Sequence, residues 1–157
     1  MNKLEYIILE NLLESTYSIK FSNKLVKQEW DRLYKIAMDN KLKVETTGGQ
    51  TIDSDFYDPT KKMIKIKQSK NNFIGQEEVA TLAHELGHYF TDDKFKKFLS
   101  KARLVDGEFI GLKGLSETLA WRWAFDNCPN RFKKIYQKRA YECLDTYNLN
   151  PTYKTDG

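Results

Sequence analysis

The sequence predicts an α+β fold of one domain, with N-terminal helices, a small twisted antiparallel or mixed sheet, a central helix and C-terminal helices. Three observations predict it. Apolar residues recur at helical spacing over the first forty residues and again after residue 76; the stretch between alternates with period two; and Gly, Asn and Pro mark the changeovers. At 157 residues, 40% hydrophobic and 31% charged, the chain is long enough to enclose one core.

Leu4, Ile7, Ile8 and Leu12 place a first helix over Leu4–Glu14. Ser22 and Asn23 are capping candidates for a second, Lys24–Asn40, with an apolar stripe of Val26, Trp30, Leu33, Ile36 and Ala37. Two helices with so long a loop between them fit a DNA-binding helix-turn-helix poorly. Leu42–Thr46 is a strand ending at the Gly48-Gly49 turn signal. Ile52–Tyr57 and Met63–Gln68 flank Asp58–Lys62, a hairpin connection, and the alternation of Ile64 and Ile66 with Lys65 and Lys67 gives the second arm one buried and one wet face. After Asn71-Asn72 the period turns helical: Val79, Leu82, Ala83, Leu86 and Phe90 form an apolar face over Gln76–Phe90, with Glu77 and Glu78 in the first turn. A basic, mixed segment runs through Lys101, and a Gly-punctuated connection from Asp106 to Gly114. Ser116 is placed to cap a short helix ending near Asn127, and Pro129 to stand in the first turn of a last helix. That helix has the stripe Phe132, Ile135, Tyr136, Ala140, Cys143, Leu144 and Tyr147. The domain is expected over 1–150, as a helical N-terminal part (1–40), a core (41–128) and a C-terminal helix (129–148), with a loose tail over 151–157.

The net charge of +4 is spread along the chain rather than gathered in a stripe, so nucleic-acid contact is expected to be weak or indirect. Cys128 and Cys143 stand on apolar stripes and outside metal or redox spacing, which points to reduced, buried thiols. No signal-peptide pattern and no membrane-length apolar run is present, so the expected location is the cytoplasm.

The chemistry concentrates in His84-Glu85-Leu86-Gly87-His88. Residues four apart on a helix lie about 40° apart around its axis, so His84 and His88 project from one side. Imidazole nitrogens at about 2.0–2.1 Å suit Zn²⁺. Glu85 borders that position without needing to ligate, where a general base for an activated water belongs. Chance pairing on a surface helix is the bland alternative. Against it, these are the chain's 2 histidines, they bracket a glutamate in register, and they stand on a predicted helix whose other side is apolar.

A catalytic zinc needs a third protein ligand and an open position. No third histidine exists, so a carboxylate is the natural candidate. Asp92 continues the i, i+4 series, but three ligands along one helix cannot converge on a tetrahedral ion. Asp106 and Glu108 remain possible. Glu117 is better: it lies in line with Ala120, Trp121, Ala124 and Cys128, and a carboxylate heading an apolar stripe is costly to bury unless a cation compensates it. The two alanines and Gly87 would let their helices approach closely. The bland alternative is a first-turn glutamate favoured by the helix dipole.

The run Ala80-Thr81-Leu82-Ala83-His84-Glu85-Leu86-Gly87-His88-Tyr89-Phe90, followed by Glu117-Thr118-Leu119-Ala120-Trp121-Arg122-Trp123-Ala124, resembles the ImmA/IrrE-type zinc metallopeptidases over roughly Leu42 to Asp126. The pairing of HELGH with Glu-x-x-Ala carries the specificity of that resemblance. It implies a zincin-like single domain, His84, His88 and Glu117 as zinc ligands and Glu85 as catalytic base. It further implies a cytoplasmic endopeptidase that cleaves a partner protein, a helix-turn-helix repressor of a phage or mobile element. The N-terminal helices here do not look like a DNA-binding domain, so the repressor would be a separate protein. Trp121 stands where relatives often carry asparagine.

On this reading the substrate would lie extended beside Met63–Gln68, with Tyr57, Tyr89 or Arg103 stabilising the oxyanion. The alternative is a non-proteolytic zinc-containing regulator that binds a repressor or DNA, to which Glu85 would be superfluous. A zinc hydrolase acting on a small amide is a second rival.

Overall fold

The computed structural model describes residues 2, 3, 5, 19–47, 56–70, 72–101 and 106–145, of which 93–101 and 106–113 enter as backbone only. The expected helix Leu4–Glu14, the start of the strand from Ile52, Arg103, Tyr147 and the tail 151–157 lie outside the described residues or are represented by isolated positions.

Asn23 starts helix α1, Lys24–Asp39: its extended backbone lets the side-chain Oδ1 accept the Val26 N–H at 2.9 Å. Val26, Trp30, Leu33 and Ala37 are buried as their spacing predicts, and Glu29 is buried among them. Lys41, in the left-handed region at φ 58°, turns the chain out of the helix so that the Leu42 N–H reaches the Ala37 carbonyl at 2.9 Å. Leu42 is thereby buried and feeds straight into the sheet.

Strands β2 (Lys43–Thr47), β3 (Phe56–Asp58) and β4 (Met63–Lys67) form a mixed sheet in the order β2-β4-β3. The hairpin is where the sequence places it: Asp58 Oδ1 accepts the N–H groups of Thr60 and Lys61, and β3 pairs antiparallel to β4 with Tyr57 opposite Ile64. Strand β2 pairs parallel to β4 over Lys43–Thr47. Ile64 and Ile66 face the core, while Lys67 is exposed. β4 is therefore the central strand, flanked along its length by β2 and over Met63–Lys65 by β3. This corrects the expectation that a substrate could lie extended beside Met63–Gln68, because the hydrogen-bonding groups it would need are largely taken. A second, two-stranded parallel ribbon pairs β1 (Lys20–Phe21) with β5 (Phe73–Ile74). Strands this short leave no periodicity to read.

Helix α2, Gln76–Lys101, begins after Gly75, whose N–H is accepted by Glu78 Oε1 at 2.9 Å, the reach-back half of a capping box. It runs a further eleven residues beyond the expected end at Phe90. Between residues 78 and 87 it is buried nearly all round, Ala80, Thr81 and Glu85 included, because α1, the sheet and the two C-terminal helices enclose it. Phe90, expected on the buried face, is 38% exposed.

The largest correction lies C-terminal to α2. The Gly-punctuated stretch from Asp106 is helical, and α3 spans Asp106–Asp126. Ser116 is an interior residue of that helix and caps nothing; the glycine penalty of about 1 kcal/mol each is a weak prior that tertiary context overrides. Helix α4 is Asn130–Asp145, and Pro129 precedes it, its carbonyl accepting the Phe132 N–H at 2.9 Å. Phe132, Tyr136, Ala140 and Leu144 are buried as predicted. One apolar cluster runs from α1 through β4 and α2 to α3 and α4. The described residues thus form an α+β fold with four helices and two small sheets. None of these helices is long and apolar enough to cross a membrane. Cys128 is buried, Cys143 half-buried, and neither is in a disulfide.

Candidate metal centre

The site is organised by a contact between two backbones. A Cβ on Gly87 of α2 would stand 2.1 Å from the Ala120 carbonyl oxygen of α3, so only glycine permits this approach. On each helix the site residues occupy the same register about that contact. His84 and His88 lie three residues before and one after Gly87; Glu117 and Trp121 lie three before and one after Ala120. Those positions are about 60° and 100° around a helix from the contact point, so all four side chains emerge on one side of the seam. The residues three after the contact, Phe90 and Trp123, close its other side by stacking at 4.7 Å and 13°.

Glu117 bridges both histidines. Its Oε2 is 2.8 Å from His84 Nε2 and its Oε1 is 3.2 Å from His88 Nε2. The imidazoles meet edge-on at 4.6 Å. One ligand atom from each of His84, His88 and Glu117 falls within 4.8 Å of the others, and the three could hold a metal ion. Two imidazoles and a carboxylate, converging from two helices with none of the three fully exposed, match the donor set of a three-ligand zinc site with an open position. Glu85 is 5% exposed, with Oε1 3.5 Å from His84 Nδ1.

Electrostatics point the same way. Burial pulls the His84 pKa down, but the hydrogen bonds to Glu117 and Glu85 and their two negative charges outweigh it, raising it from 6.5 to about 9. Burial pushes the Glu117 carboxyl up, and the hydrogen bonds and charges of His84 and His88 hold it well below the usual carboxylate range. The pocket draws positive charge.

No family model, curated protein or solved structure matches the chain.

Tyr57 is half-buried on the inner face of β3, its ring edge-on to Tyr89 at 5.9 Å. The Tyr89 hydroxyl donates to Asn40 Oδ1 at 3.3 Å, which commits it to the end of α1. Arg103 lies outside the described residues. Asp92 is half-buried on α2 and no member of the converging group. Asp106 and Glu108 are in the first turn of α3, nine or more residues before Glu117, which separates them from it by about 13 Å or more of helix rise. Among the described residues, Glu117 is the carboxylate brought to both histidines. Trp121 belongs to the site as well: its indole stacks on the His84 ring at 4.4 Å and 9°. Its place four residues after Glu117, on the same helical face, was the signal available in the sequence.

Proposed function

We propose that the protein is a zinc-dependent endopeptidase of zincin-like architecture, with His84, His88 and Glu117 as ligands and Glu85 as general base. The observation that supports it is the convergence of Glu117, from a separate helix, on both histidines of the HExxH helix. Bound there, zinc would supply Lewis-acid chemistry: an acidified water and a polarised carbonyl. The protein's own part is to hold the geometry and move a proton. The buried Glu85 carboxylate would accept the proton of the attacking water and return it to the leaving amine. The imidazoles would ligate through Nε2, the nitrogens that already face Glu117. Oxyanion stabilisation is assigned to the tyrosine pair Tyr57 and Tyr89, whose rings meet edge-on between β3 and α2.

The substrate of this reading is a peptide bond in a partner protein, a separate helix-turn-helix repressor of a phage or mobile element in the cytoplasm, as the resemblance implies. Among the described residues β2 and β3 are the outer strands, and β3 packs beside α2 through Tyr57 and Tyr89, so an extended substrate segment would add there. A non-proteolytic zinc regulator binding a repressor or DNA would have no use for a carboxylate buried at Glu85.

Metal analysis and a cleavage assay on three chains test the proposal. Wild type and Glu85→Gln are expected to carry zinc, and Glu117→Ala to lose it. Glu85→Gln is expected to cleave about 10²–10⁴-fold more slowly. Undiminished cleavage by Glu85→Gln, or full zinc occupancy in Glu117→Ala, would overturn it.

A further inference from the structure

We propose that Trp121 is a positioning residue of the metal centre, its indole face fixing the plane of the His84 ring so that Nε2 is directed at Glu117. The inference deepens the zinc reading and rests on it. Three observations carry it. The rings are nearly parallel, 9° apart with centroids at 4.4 Å, so rotation of the imidazole about its Cβ–Cγ bond is blocked on that side. Trp121 and Glu117 are one helical turn apart on α3, so the same rigid element supplies both the ligand for His84 Nε2 and the wall behind its ring. Among the described residues the indole Nε1 is buried without a partner, whereas an aliphatic side chain would fill an apolar seam with no such loss. Packing alone therefore accounts poorly for an indole. A flat aromatic face against an imidazole accounts for it well, because the π surface favours an electron-poor ring, and an imidazole that ligates a cation is electron-poor.

His88 has its own restraint in the Glu117 Oε1 contact, and among the described residues no aromatic ring stacks on it other than the edge of His84. The two ligand histidines are thus held differently: His88 by the carboxylate, His84 by the carboxylate and by a ring plane. Support of this kind around a metal ligand is worth on the order of 10–100-fold in affinity.

The test uses the full chain with Co²⁺ as the absorbing probe, together with the His84 ring-proton shifts of the metal-free protein. Wild type is expected to show His84 ring protons displaced upfield by the indole. Trp121→Leu is expected to lose that displacement and to bind Co²⁺ on the order of 10–100-fold more weakly, whereas Trp121→Phe, which restores a ring face, keeps both near wild type. Thermal melting of each variant identifies a chain that does not fold; Trp121→Met, flexible and without a ring, then replaces Trp121→Leu. Trp121→Leu binding Co²⁺ as tightly as wild type would overturn the inference, as would Trp121→Phe losing as much as Trp121→Leu. Failure of wild type to bind Co²⁺ would instead remove the zinc reading, and the ring-proton shifts would still decide whether Trp121 holds His84.

Discussion

Glu117 holds two histidines at once, and the pH behaviour of the metal-free protein follows from that carboxylate. His84 has a folded pKa raised to about 9, so its contribution to stability is complete below its ordinary 6.5 and is lost as pH rises through 9. Glu117 is depressed below its ordinary 4.5, so its contribution is complete above 4.5 and is lost as pH falls. The pair therefore stabilises the chelator-treated protein most between about pH 4.5 and 6.5. Thermal melts are expected to show the midpoint declining from pH 6.5 to 9, and His84→Gln to flatten that limb. A wild-type midpoint that rises over the same interval would contradict the assignment. Metal uptake has the opposite dependence, since a ligand imidazole must shed its proton.

At the scale of the element, α2 and α3 are one device. Gly87 lets the Ala120 backbone come so close that residues at −3 and +1 on each helix meet across the seam. Gly87→Ala places a methyl against a carbonyl that cannot swing aside, and overpacking of this kind costs about 1–3 kcal/mol. More telling, it is expected to separate Glu117 from the histidines, so denaturant titration should show the stability loss and metal analysis a fall in the zinc that the proposed site would hold. A variant that keeps full zinc occupancy would show that the seam is not what sets the site. The Phe90–Trp123 stack on the far side explains why Phe90, expected in the core, is half outside it: it covers the seam.

For the molecule as a whole, the two ends of the described chain are tied by a polar contact no periodicity announces. Glu29 of α1 is 1% exposed; Arg32 pairs with it on the same helix, and the Tyr136 hydroxyl of α4 donates to its Oε2 at 2.8 Å. Burial, and next the charge and hydrogen bond of Glu29, push the Tyr136 hydroxyl up, while burial raises the neighbouring Cys128 thiol to about 11, which keeps it un-ionised. Tyr136→Phe leaves a buried carboxylate one donor short, and is expected to lower unfolding free energy by about 1.5–3 kcal/mol while leaving metal binding at the proposed site unchanged. Equal stability of the two chains by denaturant titration would refute that role. Periodicity found α1 and α4 because each buries a plain apolar stripe. It missed Glu29 because a glutamate inside such a stripe looks like an interruption until its partner, 107 residues away, is known.

What the sequence determined by itself is local: the Asn23 cap of α1, the stripes of α1 and α4, the Asp58 turn and its hairpin, and the HExxH register that sets His84, Glu85 and His88 on one helix. Each depends on residues within a few positions of one another, and short-range spacing encodes them. Only the tertiary structure decided that β4 is a central strand, that the glycine-rich stretch before Glu117 is helix, and that Trp121 lies flat on His84. Those depend on what packs from elsewhere. A strand's free edges depend on its neighbours, a glycine's propensity cost is small beside tertiary packing, and a ring's partner on another helix is set by how closely two backbones can approach.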